Sequence, residues 1–188
     1  MPRTTTATVL LFAALTTVAA ACGSSSNQPA SSGTTAATTG GTAGPSAPCP
    51  TPTALAPPAG LHEDLTKKPV VSITEATPPT SLVVQDLVVG TGRAATCGDS
   101  VSVQYVGVAF STKKQFDASW DRGQAFQFTL GQGSVIPGWD QGVVGMRVGG
   151  RRELTIPPAL GYGAQGTGDG TIGPNETLVF IVDLVKIG

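Results

Sequence analysis

The run Phe126-Gln-Phe-Thr-Leu130-Gly-Gln-Gly-Ser-Val135-Ile-Pro-Gly-Trp139-Asp-Gln-Gly-Val143-Val-Gly-Met146 decides how the rest of the chain is read. Phe126, Phe128 and Leu130 alternate, the period of a strand with one buried face. A Gly-Gln-Gly turn leads to Val135-Ile136 and then to Pro137, a residue pre-set for the first turn of a helix. Ile136, Trp139, Val143 and Met146 recur at spacings of three and four and form the apolar stripe of a short helix, which Gly149-Gly150 is expected to stop. A strand aromatic thus faces an indole across a tight turn, a combination able to floor an apolar pocket.

Outward from this stretch the 188-residue chain divides in two. Its ten aromatic residues comprise Phe12 and nine others confined to Tyr105–Phe180, and no charged residue lies between Arg3 and Glu63. A polar, uncharged front therefore precedes a folded back. Charge is close to balanced and only 12% of residues are charged. Without a basic run or a basic-aromatic patch, no nucleic-acid partner is expected.

Arg3 precedes the apolar run that begins Val9-Leu-Leu-Phe12 and ends in Ala19-Ala-Ala-Cys22. The run is too short to span a membrane and has the layout of a signal peptide over 1–21. A cysteine after small residues resembles the lipobox of bacterial lipoproteins, although Ala19 stands where leucine is preferred. The resemblance implies lipidation of Cys22, hence an exported protein anchored to the cell membrane with its domain outside the cytoplasm. A plain secretory peptide cut near Ala21 is the other reading. Residues 22–60 are rich in Ser, Thr, Gly, Ala and Pro and read as a flexible tether. Residues 61–81 form a lead-in with an edge strand near Val70–Ile73. Cys49 and Cys97 then remain as a pair, and in an exported protein an even pair suggests a disulfide, two separate thiols being the alternative. The single histidine, His62, lies beside no motif, so neither a metal site nor histidine acid–base chemistry is expected.

Further strands are expected at 82–89, 101–109, from Phe116, at 151–156 and at 177–187, the last an apolar run suited to a central strand. Many strands and one short helix imply an α+β fold, a curved antiparallel β-sheet wrapped around that helix, occupying 82–188. No Gly-x-Ser-x-Gly elbow, phosphate loop or zinc spacing is present. The glycines of 161–173 read as a flap. What remains is a set of apolar walls with polar handles at Tyr105, Asp117, Arg122 and Tyr162.

Four motifs then agree in order and spacing: Phe116-Asp-Ala-Ser-Trp-Asp-Arg-Gly123, the quoted stretch itself, Leu154-Thr-Ile-Pro-Pro-Ala-Leu-Gly-Tyr162-Gly-Ala and Thr177-Leu-Val-Phe180-Ile-Val-Asp-Leu. From about Leu82 onward the chain resembles the FKBP family of peptidyl-prolyl cis/trans isomerases. The resemblance implies Trp139 as pocket floor and Phe126, Val135, Ile136 and Phe180 as walls, with Tyr105 and Phe116 at the side. The backbone N–H of Ile136 and the hydroxyl of Tyr162 would hold substrate carbonyls. Asp117 would contact the twisting amide, held by Arg122 and Tyr105. Ile172 would be a flap wall, in a flap that departs from the family pattern, as does Ser134 where many members are acidic.

The implied function is X–Pro isomerisation in exported proteins, the proline bound in a desolvated aromatic pocket. The alternative is a proline-directed binding or chaperone module with little turnover. No cofactor is expected. The implied partners are proline-containing polypeptides and macrolides such as rapamycin, with a monomer expected. Blander readings stand beside these: Trp139 as core filler, Phe128 as core, Arg122 as a surface ion pair, Trp120 as an exposed rim residue without a role.

Overall fold

A computed structural model describes residues 49–57 and 64–188. The signal peptide expected over 1–21, the lipidation expected at Cys22 and His62 lie outside the described residues. Strands β1 (Val83–Val88), β2 (Ser100–Ala109), β3 (Gln115–Ala118), β4 (Phe126–Thr129), β5 (Arg151–Ile156) and β6 (Leu178–Ile187) form one antiparallel sheet. Its order is β1-β5-β6-β2-β3, and β4 shares the β3 edge of β2. Two one-to-two-turn helices, α1 (Ser119–Arg122) and α2 (Pro137–Gly142), and a 3-10 turn at Pro158–Leu160 complete the set.

Alternation within β2 and β6 explains the layering, because successive side chains point to opposite faces. Val101, Val103 and Tyr105 of β2 and Leu178, Phe180, Val182 and Leu184 of β6 enter the main core around α2. Val106 and Val108 point the other way and, with Ala118, meet Val71, Ile73 and Trp120. The lead-in thus covers the second face of the sheet. No strand forms at Val70–Ile73, contrary to expectation; these residues contribute side chains to a face rather than backbone to an edge. Trp120 is likewise half-buried in that cluster, not an exposed rim residue.

Arg151 and Arg152 of β5 divide between the two faces by the same parity. Arg151 reaches Asp183, directly opposite on β6, at 2.5 and 2.8 Å, and the carbonyl of Lys67 in the lead-in at 3.0 Å. Arg152 pairs with Asp86 of β1 at 2.7 and 3.2 Å and donates to the carbonyls of Gly142 and Val144 at 2.8 and 3.1 Å. Gly142 is the last residue of α2 and Val144 lies in the turn after it, so a buried cation satisfies a carbonyl the helix terminus leaves open and one just beyond it.

Helix α2 starts where proline predicts, with Pro137 in its first turn. It lies close on β5 because Gly138 and Gly142 face Ile156 and Leu154: a Cβ on either would come within 2.5 or 2.6 Å of those side chains. It is shorter than its apolar stripe suggests. After Gly142 the chain turns away, and residues 145–148 exchange four backbone hydrogen bonds of 2.7–3.1 Å with the 92–95 loop. Val143 and Met146 stay buried, but outside the helix.

The tether expected over 22–60 meets the domain earlier than composition suggests. Leu55 makes a parallel bridge on the free edge of β1, its N–H donating to Val84 O at 2.9 Å and its carbonyl accepting from Asp86 at 3.1 Å. Cys49 is bridged to Cys97, the Cα atoms 5.8 Å apart. Residues 49–57 are therefore a strap on the sheet edge.

Candidate functional site

Above the indole of Trp139 is a hollow of about 190 Å³ lined by Tyr105, Phe116, Asp117, Phe126, Ser134, Val135, Ile136, Trp139, Tyr162 and Phe180. It is smaller than the roughly 300–1,000 Å³ that encloses a drug-sized ligand, so it takes one ring and leaves the rest of a ligand outside. Trp139 is 4% exposed, at the base, whereas Phe126 and Tyr162, 38% and 40% exposed, stand at the mouth. The mouth opens to solvent.

The lining residues come from six regions of chain and are held by aromatic packing. Tyr105, Phe180 and Phe126 meet the indole edge-to-face, with centroids 5.0, 5.2 and 6.1 Å away. Phe116 and Phe180 make a further edge-to-face pair at 5.4 Å. Such pairs add about 0.5–1.5 kcal/mol each beyond area burial, and they fix ring orientation. Phe128 packs behind, 5.5 Å from the indole and 7% exposed, core rather than wall. Gly107 of β2 makes the Phe116–Phe180 pair possible, since a Cβ there would lie 2.6 Å from Phe116 and 2.7 Å from Phe180.

The polar side of the hollow is one connected group. The Tyr105 hydroxyl donates to Asp117 Oδ2, Arg122 donates to Asp117 Oδ1, and Arg122 also reaches the Tyr105 oxygen at 2.9 Å. Ser119, fully buried at the start of α1, accepts the Tyr105 N–H at 2.8 Å and donates to Gln104, which locks α1 and its Arg122 onto β2. Burial pushes the Asp117 carboxyl up, but hydrogen bonds from Tyr105 and Arg122 and the guanidinium charge outweigh it. The carboxyl ends below its ordinary 3.8 and is ionised at neutral pH. Burial, then the Asp117 hydrogen bond, raises the Tyr105 hydroxyl above 10.0, and burial, then the Asp117 charge, does the same for Tyr162. Both phenols remain protonated donors.

Most residues singled out in the sequence therefore converge on one hollow. Arg122 does not line it and acts through Asp117 and Tyr105. Ile172 is placed elsewhere: 4% exposed, it is packed in the core and does not wall the hollow. Thr167 folds the flap back on itself, its N–H donating to Ile172 O and its hydroxyl accepting the Ile172 N–H, both at 2.9 Å, which turns Ile172 inward. Ser134 lines the hollow, yet in the sequence it stands out only as a departure from the family pattern, because an exposed serine carries no periodic signal. Among the described residues no cluster of His, Cys, Asp or Glu is arranged to hold a metal ion.

An antiparallel sheet thus packs on a short helix, and an aromatic hollow lies over that helix's tryptophan with no nucleophile–base pair among its lining residues. The family model for FKBP-type peptidyl-prolyl cis-trans isomerases matches residues 91–185, and the chain belongs to that family. It is 56% identical over 121 residues to a protein named FK506-binding protein from Streptomyces anulatus, covering 64% of this chain and 98% of that one. It is 49% identical over 120 residues to one named probable FK506-binding protein from Corynebacterium glutamicum, covering 64% and 98%. Among solved structures it is similar to the crystal structure of AtFKBP13, with a TM-score of 0.54 and 36% identity over 60% of this chain and 98% of that one. The chain is an enzyme of the peptidyl-prolyl cis-trans isomerase class.

Proposed function

We propose that the domain accelerates rotation about X–Pro bonds of exported proteins by drawing the proline ring into the hollow over Trp139. The observation that carries this reading is the open aromatic hollow with a single ionised, doubly held carboxylate at its side. Unaided rotation crosses a barrier of roughly 18–20 kcal/mol and takes tens of seconds or more. The planar amide is the more charge-separated form and water favours it; the twisted amide has lost that resonance. Aromatic walls that exclude water therefore favour the twisted form, and no covalent intermediate is required. Ile136 N–H and the Tyr162 hydroxyl hold the flanking carbonyls, and Asp117 faces the amide as it twists. Macrolides such as rapamycin are ligands of the same hollow, and the domain acts as a monomer.

The front of the chain supplies the location. Residues 1–21 act as a signal peptide, Cys22 is lipidated, and the polar stretch between Cys22 and the strap tethers the domain outside the membrane. Mass spectrometry of the membrane fraction should find a lipid mass on Cys22, and Cys22→Ala should release the protein; an unmodified mature form overturns the anchor. For the enzyme, NMR exchange on an X–Pro peptide should show turnover above buffer for the wild type, a strong loss for Asp117→Val and a smaller one for Tyr162→Phe. Wild-type turnover equal to buffer removes the catalytic reading and leaves a proline-binding module.

A further inference from the structure

One wall of the hollow, Ser134–Ile136, is tied to α2 at its Ile136 end, whose carbonyl accepts the Trp139 N–H at 2.9 Å. At its Ser134 end it hangs from a turn with little intrinsic hold on its own shape. Residues 131–134 are exposed, and Gly131 and Gly133 have φ of 75° and 64°. Glycine loses more freedom on ordering than any other residue, so a wall carried by such a turn needs an external anchor. The structure supplies one from α2. Asp140, next to the floor residue Trp139, accepts the Gly131 N–H on Oδ1 and the Gly133 N–H on Oδ2, each at 2.9 Å. Both carboxylate oxygens are used, and the wall starts at the next residue. From behind, Leu130 pairs with the 98–99 turn through two backbone bonds of 3.0 Å, and the Cys49–Cys97 bridge lies against Gly131, where a Cβ would come within 2.4 Å of sulfur.

We propose that Asp140 is a positioning residue for client binding: its carboxylate clamps the Gly131–Gly133 turn to α2 and so sets the distance between the Ser134–Ile136 wall and the Trp139 floor. Asp140 does not line the hollow, so it acts only through the wall. Hydrogen bonds to an ionised acceptor are roughly twice as strong as neutral ones, which suits a two-point clamp on a glycine turn. The wall touches the proline ring in ground and twisted states alike. Releasing it should therefore weaken binding while leaving the turnover number nearly unchanged, as loss of uniform binding does.

The proposal rests on the proline-binding reading of the hollow, and the two fail differently. The full mature protein is titrated with an X–Pro tetrapeptide by NMR, with exchange rates read at saturating peptide. For Asp140→Ala, the peptide Kd should rise about 5- to 30-fold with kcat within about threefold of wild type. The Gly131 and Gly133 amide resonances should both move. Asp140→Asn, which keeps only one acceptor oxygen, should fall between, and Asp140→Glu should restore part of the affinity. Unmoved glycine amides in Asp140→Ala, or moved amides with a Kd within about twofold of wild type, overturn the clamp. If Asp140→Ala does not fold, Asp140→Asn decides alone: one amide moved with a raised Kd supports it, one moved with unchanged Kd overturns it. Wild-type protein that binds the peptide without turning it over refutes catalysis and leaves the Kd comparison intact. Wild-type protein that does not bind overturns both.

Discussion

Replacing Gly107 by alanine adds one methyl group, and the structure says where it goes. The new Cβ would stand 2.6 Å from Cζ of Phe116, 2.8 Å from its Cε2, and 2.7 Å from Cε1 of Phe180. Ordinary carbon contact begins near 3.5 Å, so each ring must retreat by roughly 0.8 Å. Neither ring can retreat freely, because they pack edge-to-face on one another and Phe180 also abuts the indole at 5.2 Å. Gly107 has no positive φ, so the cost is steric alone. Overpacking of this kind costs about 1–3 kcal/mol. A loss of about 2 kcal/mol lowers Tm by roughly 5–15 °C for a domain of this size. The function should suffer more than the fold, because both displaced rings are walls of the hollow and misplacement near 1 Å can cost on the order of 100-fold. Gly168→Ala is the control: nothing lies within 4 Å of its Cβ and no positive φ constrains it. The assay is thermal unfolding beside kcat/KM on an X–Pro peptide, with fluorescence of Trp139 as a third readout. If Gly107→Ala matches Gly168→Ala in both Tm and kcat/KM, the walls are not held as described.

Three further outcomes are expected. Asp117 has its folded pKa below 3.8, so its contribution to stability is complete above that value and is lost as pH falls through the folded pKa. Turnover should thus be flat from about pH 8 to pH 5, whereas a rise or fall across that window would contradict an ionised, Arg122-held carboxylate. The Cys49–Cys97 bridge closes a loop with a sequence separation of 48, for which chain entropy predicts about 4 kcal/mol. Denaturant unfolding of Cys49→Ser/Cys97→Ser should show a loss of at least about 2 kcal/mol, and a smaller loss would mean the strap is held without its bridge. Tyr162→Phe should weaken peptide binding by about 0.5–1.5 kcal/mol, a factor of roughly two to ten. Its Tm should barely change, because the side chain is 40% exposed at the mouth; a large drop in Tm would instead mark Tyr162 as structural.

Local pattern alone was enough for the strand of Phe126 and Phe128, the proline start of α2 and the long apolar β6. These depend on residues two, three or four apart, the separations at which side chains of one element share a face. Cys49 and Cys97 are suggested as a pair once Cys22 is set aside, and the structure bridges them. The family motifs marked out Trp139, Phe180, Tyr105, Asp117 and Tyr162 because those side chains keep their spacing within recognisable runs. What the tertiary structure alone decided involves partners far apart in the chain. Helix α2 ends early because a loop 50 residues earlier takes its continuation into backbone hydrogen bonds. Ile172 turns inward because Thr167 folds the flap. Val71 and Ile73 make a cover instead of a strand, and residues 49–57 a strap instead of a tether, because the sheet offers an open face and an open edge that no local period reveals. Periodicity reports which way a side chain points, but not what arrives from elsewhere to meet it.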